Sequence, residues 1–349
     1  MSKADDGDRS SPEDAVCNVT VECIDGNLYR VAWDERFTAA PVTVRVSPTA
    51  DVPGDAEPVA EGARGGAEVT VPGGAPRWYF RLEAADGAPL VVAERGVTLE
   101  GGVNFRDLGG YAAAGGRRLR WGRLFRSGHL AHLTAADREV VASLGISTVC
   151  DYRHPNELAR ENAELPNAPD VNVIGIPPGI GNWRMLHELF ARTTDPEDTA
   201  AAMHDLMVYL VRDAAHYYQG LFDALLEGAP GAFLMNCSGG KERSGVGAAL
   251  TLSALGVPRT TILYDYMLSS RYTPIEREVP NVLEKYEVDL PFDQGRALIL
   301  PLLETRPSYL SAAFDTIEAD HGSVEAFLRE RYGVDEAARE RLRELYLSA

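Results

Sequence analysis

The sequence predicts two folding units in tandem, a small all-β sandwich followed by an α/β domain with a central sheet flanked by helices. Three observations carry this. The 349 residues amount to about two typical domains, and 45% of them are apolar, enough for packed cores. Over about 15–98 the apolar residues recur with period two. After Gly101-Gly102 short apolar runs alternate with helical segments, the texture of an α/β fold.

Residues 1–14 are polar and acidic, the composition of a disordered tail, and lack the basic end and apolar stretch of a secretory signal. Cys17, Val19, Val21 and Cys23 alternate with Asn18, Thr20 and Glu22, which reads as a strand with one buried face. Along such a strand the two cysteines sit about 20 Å apart, too far for a bridge, so both are expected as core fillers. Tyr29, Val31 and Trp33, then Val42, Val44 and Val46, then Trp78, Phe80 and Leu82 repeat the alternation, and turn-rich stretches separate six or seven such strands. The sandwich over 15–98 contains no histidine and no acidic cluster with metal-ligand spacing, which favours a packing or interaction role.

The α/β domain is expected over 102–349. Runs 146–150, 171–176 and 231–236 read as strands. Helices are expected near 134–144, 183–192, 197–227, 244–256, 258–271, 279–286, 307–319, 323–332 and 335–347, the 323–332 segment marked by Ser323 as N-cap and Gly333 as C-terminal stop. A helical insertion at 182–228 carries two apolar faces, Trp183, Leu186, Leu189 and Phe190, and Met203, Leu206, Met207, Leu210 and Val211. Core packing is the default reading and a lid over a site the alternative. The basic run at 117–123 reads as a solvated hairpin.

Charge narrows the function. With 34 basic against 52 acidic residues, a formal −18, the chain repels nucleic-acid backbones and anionic membranes, and no run reaches the ~20 apolar residues of a membrane span. Four cysteines fit a reducing, cytoplasmic setting. Only Lys3, Lys241 and Lys285 are lysines, so a lysine in a motif carries information.

The most informative stretch is Asn236-Cys237-Ser238-Gly239-Gly240-Lys241-Glu242-Arg243-Ser244-Gly245, between an apolar strand and a small-residue helix. Gly239 and Gly240 let backbone N–H groups converge, and the helix near Ser244 aims its positive end at the same point. The result is an anion cradle with a thiol at its base. It suits a phosphate monoester: Arg243 as a bidentate fork, the amides of 238–243 on the equatorial oxygens, Cys237 attacking in line, and Ser244 hydrogen-bonding the thiolate as it leaves. An ordinary cysteine is only ~3% thiolate at pH 7, so full ionisation gains at most about 30-fold and most of the acceleration must be electrostatic. A nucleoside-triphosphate loop is excluded, because Met235 and Glu242 stand where it needs Gly and Ser or Thr.

This decapeptide resembles the His-Cys-x-x-Gly-Lys-Asp-Arg-Thr-Gly loop of the bacterial atypical tyrosine phosphatases, within the protein tyrosine phosphatase superfamily. Asn104-Phe105-Arg106-Asp107-Leu108-Gly109-Gly110-Tyr111 is similar to that family's N-F-R-D-x-G-G opening, Leu124–Gly128 to its R-S segment, and Asp151-Tyr152-Arg153 with Glu157 to its D-L-R-x-x-x-E. Asp265–Ser269 and Gly322–Val324 extend the match, so the resemblance covers about 102–349. The N-terminal strands resemble the immunoglobulin- or fibronectin-III-like modules of longer members. The resemblance implies phosphomonoester hydrolysis through a phosphocysteine, independent of metal or cofactor.

Two departures stand out: Asn236 replaces the family histidine and Glu242 its loop aspartate. Where the wider superfamily keeps an acid on a mobile loop, the sequence here reads as helix, so the proton donor is Glu242 or Asp151, Asp151 alternatively pairing with Arg153. Arg106, Asp107 and Arg126 are expected to brace the loop or meet substrate. Arg153 and Arg271 are candidates for a second anionic group, as is Lys241. The expected substrate is a phosphotyrosine peptide, then a small-molecule (nucleotide or sugar) phosphate, then a phosphoinositide. A catalytically weak phosphate-binding module is the alternative of another class, and the oligomeric state is left open.

Overall fold

The computed structural model describes residues 19–161, 170–175 and 182–348, without the side chains of 182 and 183. The tail expected over 1–14, Cys17 and the side chain of Trp183 lie outside the described residues. Seven strands come first: β1 (Val19–Asp25), β2 (Leu28–Trp33), β3 (Val42–Ser47), β4 (Pro58–Ala63), β5 (Gly66–Thr70), β6 (Tyr79–Ala84) and β7 (Leu90–Ala93). They form two antiparallel sheets, ordered β1-β2-β5 and β4-β3-β6-β7. Period-two burial is the reason: Tyr29, Val31 and Trp33 from one sheet meet Val44, Phe80 and Leu82 from the other in a single core. Cys23 lies half-buried on the inner side of β1.

The second sheet system comprises β8 (Arg106–Asp107), β9 (Leu124–Ser127), β10 (Ile146–Asp151), β11 (Asn172–Gly175) and β12 (Ala232–Asn236), in the order β11-β10-β12-β9-β8. All neighbours run parallel except β8, which opposes β9. Thus β12 is the central strand, and its five residues are all buried.

Around this sheet lie α1 (Ala135–Ser143), α2 (Pro155–Arg160), α3 (Asn182–Phe190), α4 (Pro196–Arg212), α5 (Gln219–Glu227), α6 (Arg243–Ala254), α7 (Arg259–Met267), α8 (Ser269–Tyr272), α9 (Ile275–Lys285), α10 (Phe292–Leu303), α11 (Pro307–His321), α12 (Val324–Tyr332) and α13 (Glu336–Tyr346). The expected fold class, an all-β region followed by a helix-flanked sheet, is therefore what the chain forms. The sequence reading missed β8, β9, α2 and α10. The two strands are very short and carry arginine, and α10 contains Gly295 and Pro301, which argue against a helix locally.

The default reading of the insertion, core packing, is what α4 shows, and one other reading is corrected. Met203, Leu206, Met207, Leu210 and Val211 of α4 are buried in the main core, and α4 packs on α10, α11 and α6, so this half of the insertion is structural and forms no lid. In α3, Leu186 is fully buried and Phe190 stacks edge-on against Tyr286 at 5.4 Å. The run at 117–123 is no solvated hairpin either: Leu119 and Trp121 are buried, and Arg120 Nε donates to Leu347 O at 2.7 Å, tying the run to the C-terminal segment. The sandwich docks on the α/β domain through Trp121 Nε1–Val91 O (2.9 Å) and a buried ion pair, Arg77 Nη2–Asp107 Oδ2 (3.2 Å).

Candidate active site

Cys237 follows the last residue of β12, and α6 begins at Arg243, so the intervening turn lies at the C-terminal end of the sheet, where α/β folds bind ligands. The turn is compact because Gly240 adopts φ +66°; a Cβ there would lie 2.4 Å from Gly128 N and 2.5 Å from Ser127 C. Gly240 N donates to Cys237 Sγ at 3.1 Å, and Ser244 Oγ lies 3.3 Å from the same sulfur. Among the described residues, the amides of Ser238, Gly239, Lys241, Glu242 and Arg243 have no acceptor. They form an open nest beside the thiol at the positive end of a twelve-residue helix.

Arg243 is fixed from one side only. Its Nη1 donates to Tyr152 O (2.8 Å) and Glu157 Oε2 (2.5 Å), and its Nη2 to Glu157 Oε1 (2.9 Å). Of five guanidinium N–H donors these contacts take three, and the remaining pair, on Nε and Nη2, forms a free two-pronged edge. Burial acts against both charges, yet their mutual attraction holds the Glu157 carboxyl well below the usual range and Arg243 above its own.

Beneath the turn lies a buried cluster that the sequence spreads over 160 positions. Asn104, at φ 52°, sends Nδ2 to Gly240 O (2.8 Å) and Gly239 O (3.2 Å), and Arg106 bonds Asn104 Oδ1. Arg126 Nη2 donates to Gly240 O (2.9 Å) and Lys241 O (3.0 Å), while Nη1 meets Asp265 Oδ2 at 2.7 Å. Asp265 also accepts from Arg106 Nε (3.2 Å) and Tyr111 OH (2.9 Å). Burial lowers Arg106 to about 10, with Arg126's like charge adding to it against the pull of Asp265. Gly245 is needed here, since a Cβ would stand 2.8 Å from Arg126 Nη2. Asn236 Nδ2 donates to Ser127 Oγ (3.0 Å) and Gly128 O (2.5 Å), so it ties the turn to β9 without any charge.

The remaining candidates separate. Glu242 is buried on the wall of the cavity, 3.5 Å from Lys241 Nζ, and its Oε1 accepts no hydrogen bond. Asp151 is turned from the cavity, both oxygens being engaged by Arg153 Nε and Nη2. Arg153 also reaches Glu161 O (2.6 Å), so it braces the chain. Asp107 lies away from the turn, capping Gly109 N and Gly122 N at 2.8 Å and holding Arg77. Exposed Arg271 lies outside the cavity wall.

That cavity, about 640 Å³, opens above Ser238–Arg243 and is walled by Glu157, Glu161, His129, Glu278, Lys285 and Tyr286 among others. Sequence reasoning missed four of its polar groups. Lys285 Nζ contacts Ser238 Oγ and Glu161 Oε1, each at 2.8 Å, and His129 Nε2 lies 3.3 Å from Glu278 Oε2. The scarcity of lysine was the one available signal, and it applied to Lys285 as much as to Lys241. Among the described residues no group of His, Cys, Asp or Glu could hold a metal ion, and no helix is long and apolar enough to cross a membrane.

A thiol at a parallel-strand end, a free guanidinium edge and an open amide nest define a cysteine-dependent phosphatase site. The chain belongs to the tyrosine phosphatase family, whose model matches residues 97–348. It is 36% identical over 237 residues to a Cupriavidus necator protein provisionally named a tyrosine-protein phosphatase, covering 67% of this chain and 83% of that one. It is 29% identical over 278 residues to the triple specificity protein phosphatase PtpB of Mycobacterium tuberculosis, covering 71% and 98%. A solved Pseudomonas aeruginosa TpbA complex with phosphotyrosine is 14% identical and covers 56% of this chain and 90% of that one, at a TM-score of 0.19, too loose to define shared geometry. The chain is thus a cysteine-dependent phosphoric monoester hydrolase of the tyrosine-phosphatase type.

Proposed function

We propose that the enzyme dephosphorylates phosphotyrosine in flexible peptide segments, through a phosphocysteine on Cys237. The observation that carries the mechanism is the pairing of Cys237 Sγ with Ser244 Oγ (3.3 Å) beside the free edge of Arg243. In the first step the sulfur attacks phosphorus, the S–P bond forms as the P–O bond to the leaving group breaks, and the amide nest with Arg243 takes the equatorial charge. Glu242 is the proton donor to the leaving oxygen, because it lines the cavity and its Oε1, though 3.5 Å from Lys241 Nζ, accepts no hydrogen bond, whereas Arg153 engages both oxygens of Asp151. In the second step water attacks phosphorus as the S–P bond breaks, the Glu242 carboxylate takes the water's proton, and Ser244 hydrogen-bonds the departing thiolate.

The cavity of about 640 Å³ takes a side chain or a small molecule, and a relative is named for triple specificity, so nucleotide or sugar phosphates form the second substrate class. Among the described residues Cys23, Cys150 and Cys237 are free, which supports action in a reducing compartment, the cytoplasm. The test is turnover of an aryl phosphate with burst labelling, then kcat/KM over phosphopeptides, nucleoside monophosphates, sugar phosphates and soluble phosphoinositides. Cys237→Ser must abolish turnover and labelling, and Glu242→Gln must lower kcat about 10²–10⁴-fold, far more than Asp151→Asn. Retained activity in Cys237→Ser refutes the mechanism. A small-molecule phosphate exceeding every phosphopeptide by about 10²-fold refutes the substrate assignment.

A further inference from the structure

Two lysines flank the nucleophile turn, and they serve it differently. Lys241, inside the turn, is 2% exposed and directs Nζ to Leu302 O and, at 3.4 Å, to Glu304 O. These carbonyls close the C-terminal, negative end of α10, a natural seat for an ammonium group. The Lys241 side chain therefore fastens the turn to α10, and among the described residues its carboxylate neighbour at ion-pair distance is Glu242. Lys285, at the last turn of α9, faces the other way. Its ammonium touches Ser238 Oγ and Glu161 Oε1 at 2.8 Å and Glu157 Oε1 at 3.3 Å.

These contacts build an alternating chain, Arg243, Glu157, Lys285, Glu161, that ends on Ser238, the first residue after the nucleophile. Its two cations and two carboxylates balance to zero, so positive charge reaches an arriving phosphate dianion only where one of these cations can lean away from its carboxylates. Glu161 Oε1 is shared between the Lys285 ammonium (2.8 Å) and the Ser238 hydroxyl (2.5 Å), and among the described residues its buried Oε2 has no partner. Burial disfavours the Lys285 charge, but neighbouring Tyr286 and the two carboxylates more than offset this. The other ionisable groups near it on the cavity wall are Arg160, Glu284 and Glu287, of which Arg160 Nη1 bonds Lys285 O at 3.3 Å.

We propose that Lys285, rather than the turn's own Lys241, supplies the second positive charge for the substrate phosphoryl group, with Glu161 attenuating it. Lys285 is thus an affinity-determining residue for the phosphate dianion, and this rests on the phosphatase reading of the site. The flexible four-carbon stem lets the ammonium lean from Ser238 Oγ toward the anion without moving the backbone.

The test is calorimetric binding of inorganic phosphate to the full chain and its variants, which needs no turnover and so stands apart from the assay of Cys237→Ser. Lys285→Met should weaken phosphate binding about tenfold, with Lys285→Arg recovering most of it. Lys241→Met should shift affinity less than about threefold while lowering the thermal midpoint. Glu161→Gln should tighten phosphate about threefold, an opposite sign that a merely structural role for the cluster does not produce. If Glu161→Gln weakens binding as Lys285→Met does, or if Lys241→Met is the more damaging lysine change for phosphate, the proposal is overturned. If Lys285→Met does not fold, the sign of the Glu161→Gln effect decides alone. An inactive wild type that still follows these signs overturns the catalytic reading and leaves the charge assignment standing.

Discussion

Replacing Glu157 by Gln tests how far the guanidinium of Arg243 depends on a single carboxylate. Glu157 is 2% exposed and accepts four hydrogen bonds, two from Arg243 and one each from Lys285 Nζ and His154 N. Gln keeps the shape but turns one acceptor into a donor facing other donors. Breaking a buried pair by removing one partner costs about 3–5 kcal/mol, because Arg243 is left buried with its charge uncompensated. The same guanidinium then loses its orientation toward the cavity, and a displacement of about 1 Å costs on the order of 10²-fold in rate. The pH dependence follows with a definite sign. Burial acts to raise the Glu157 carboxyl, but Arg243 and Lys285 outweigh it and hold the carboxyl far below the usual range. Its contribution is therefore complete above an unfolded value of about 4.3 and declines as pH falls toward the folded one. Urea unfolding of wild type and Glu157→Gln should show a gap of about 3–5 kcal/mol at pH 7 that narrows toward pH 3, with kcat/KM for an aryl phosphate lower by about 10²-fold. A variant within twofold of wild type in kcat/KM, with a small and pH-independent stability gap, refutes this reasoning.

Two further changes separate the turn from the core. Gly240→Ala places a Cβ 2.4 Å from Gly128 N at φ +66°, so the turn must open, and kcat/KM should fall by about 10²-fold or more with far-ultraviolet circular dichroism preserved. Met207→Ala, in a fully buried position of α4, should cost about 2–5 kcal/mol by denaturant unfolding yet leave kcat/KM within about threefold; a large rate effect with little stability loss would restore α4 as a lid.

The nucleophile turn was legible because its meaning is local. Cys237, two glycines, Arg243 and the helix start fall within ten consecutive residues, and backbone geometry over that span is dictated by glycine freedom and the helix terminus. The strands of the sandwich were legible for a similar reason, since period two needs only neighbours. Asp151 and Glu242, by contrast, are alike in sequence as carboxylates beside strand or turn, and only their surroundings separate them: Arg153 folds back on one, while the other lines the cavity with an oxygen that accepts no hydrogen bond. The lysines divide in the same manner. Lys241 looked like a substrate contact from its place in the motif, but α10, about 60 residues later, offers carbonyls that turn it aside. Lys285 stands 48 residues beyond Cys237 and reaches the turn at Ser238 only because α9 packs across the cavity. Sequence alone determined the chemistry of the turn and the class of the fold, since both follow from short-range backbone preference and hydrophobic period. Which charges surround the phosphate site was decided by tertiary packing, because an ionic partner is chosen by distance in space and burial, and neither is encoded by position along the chain.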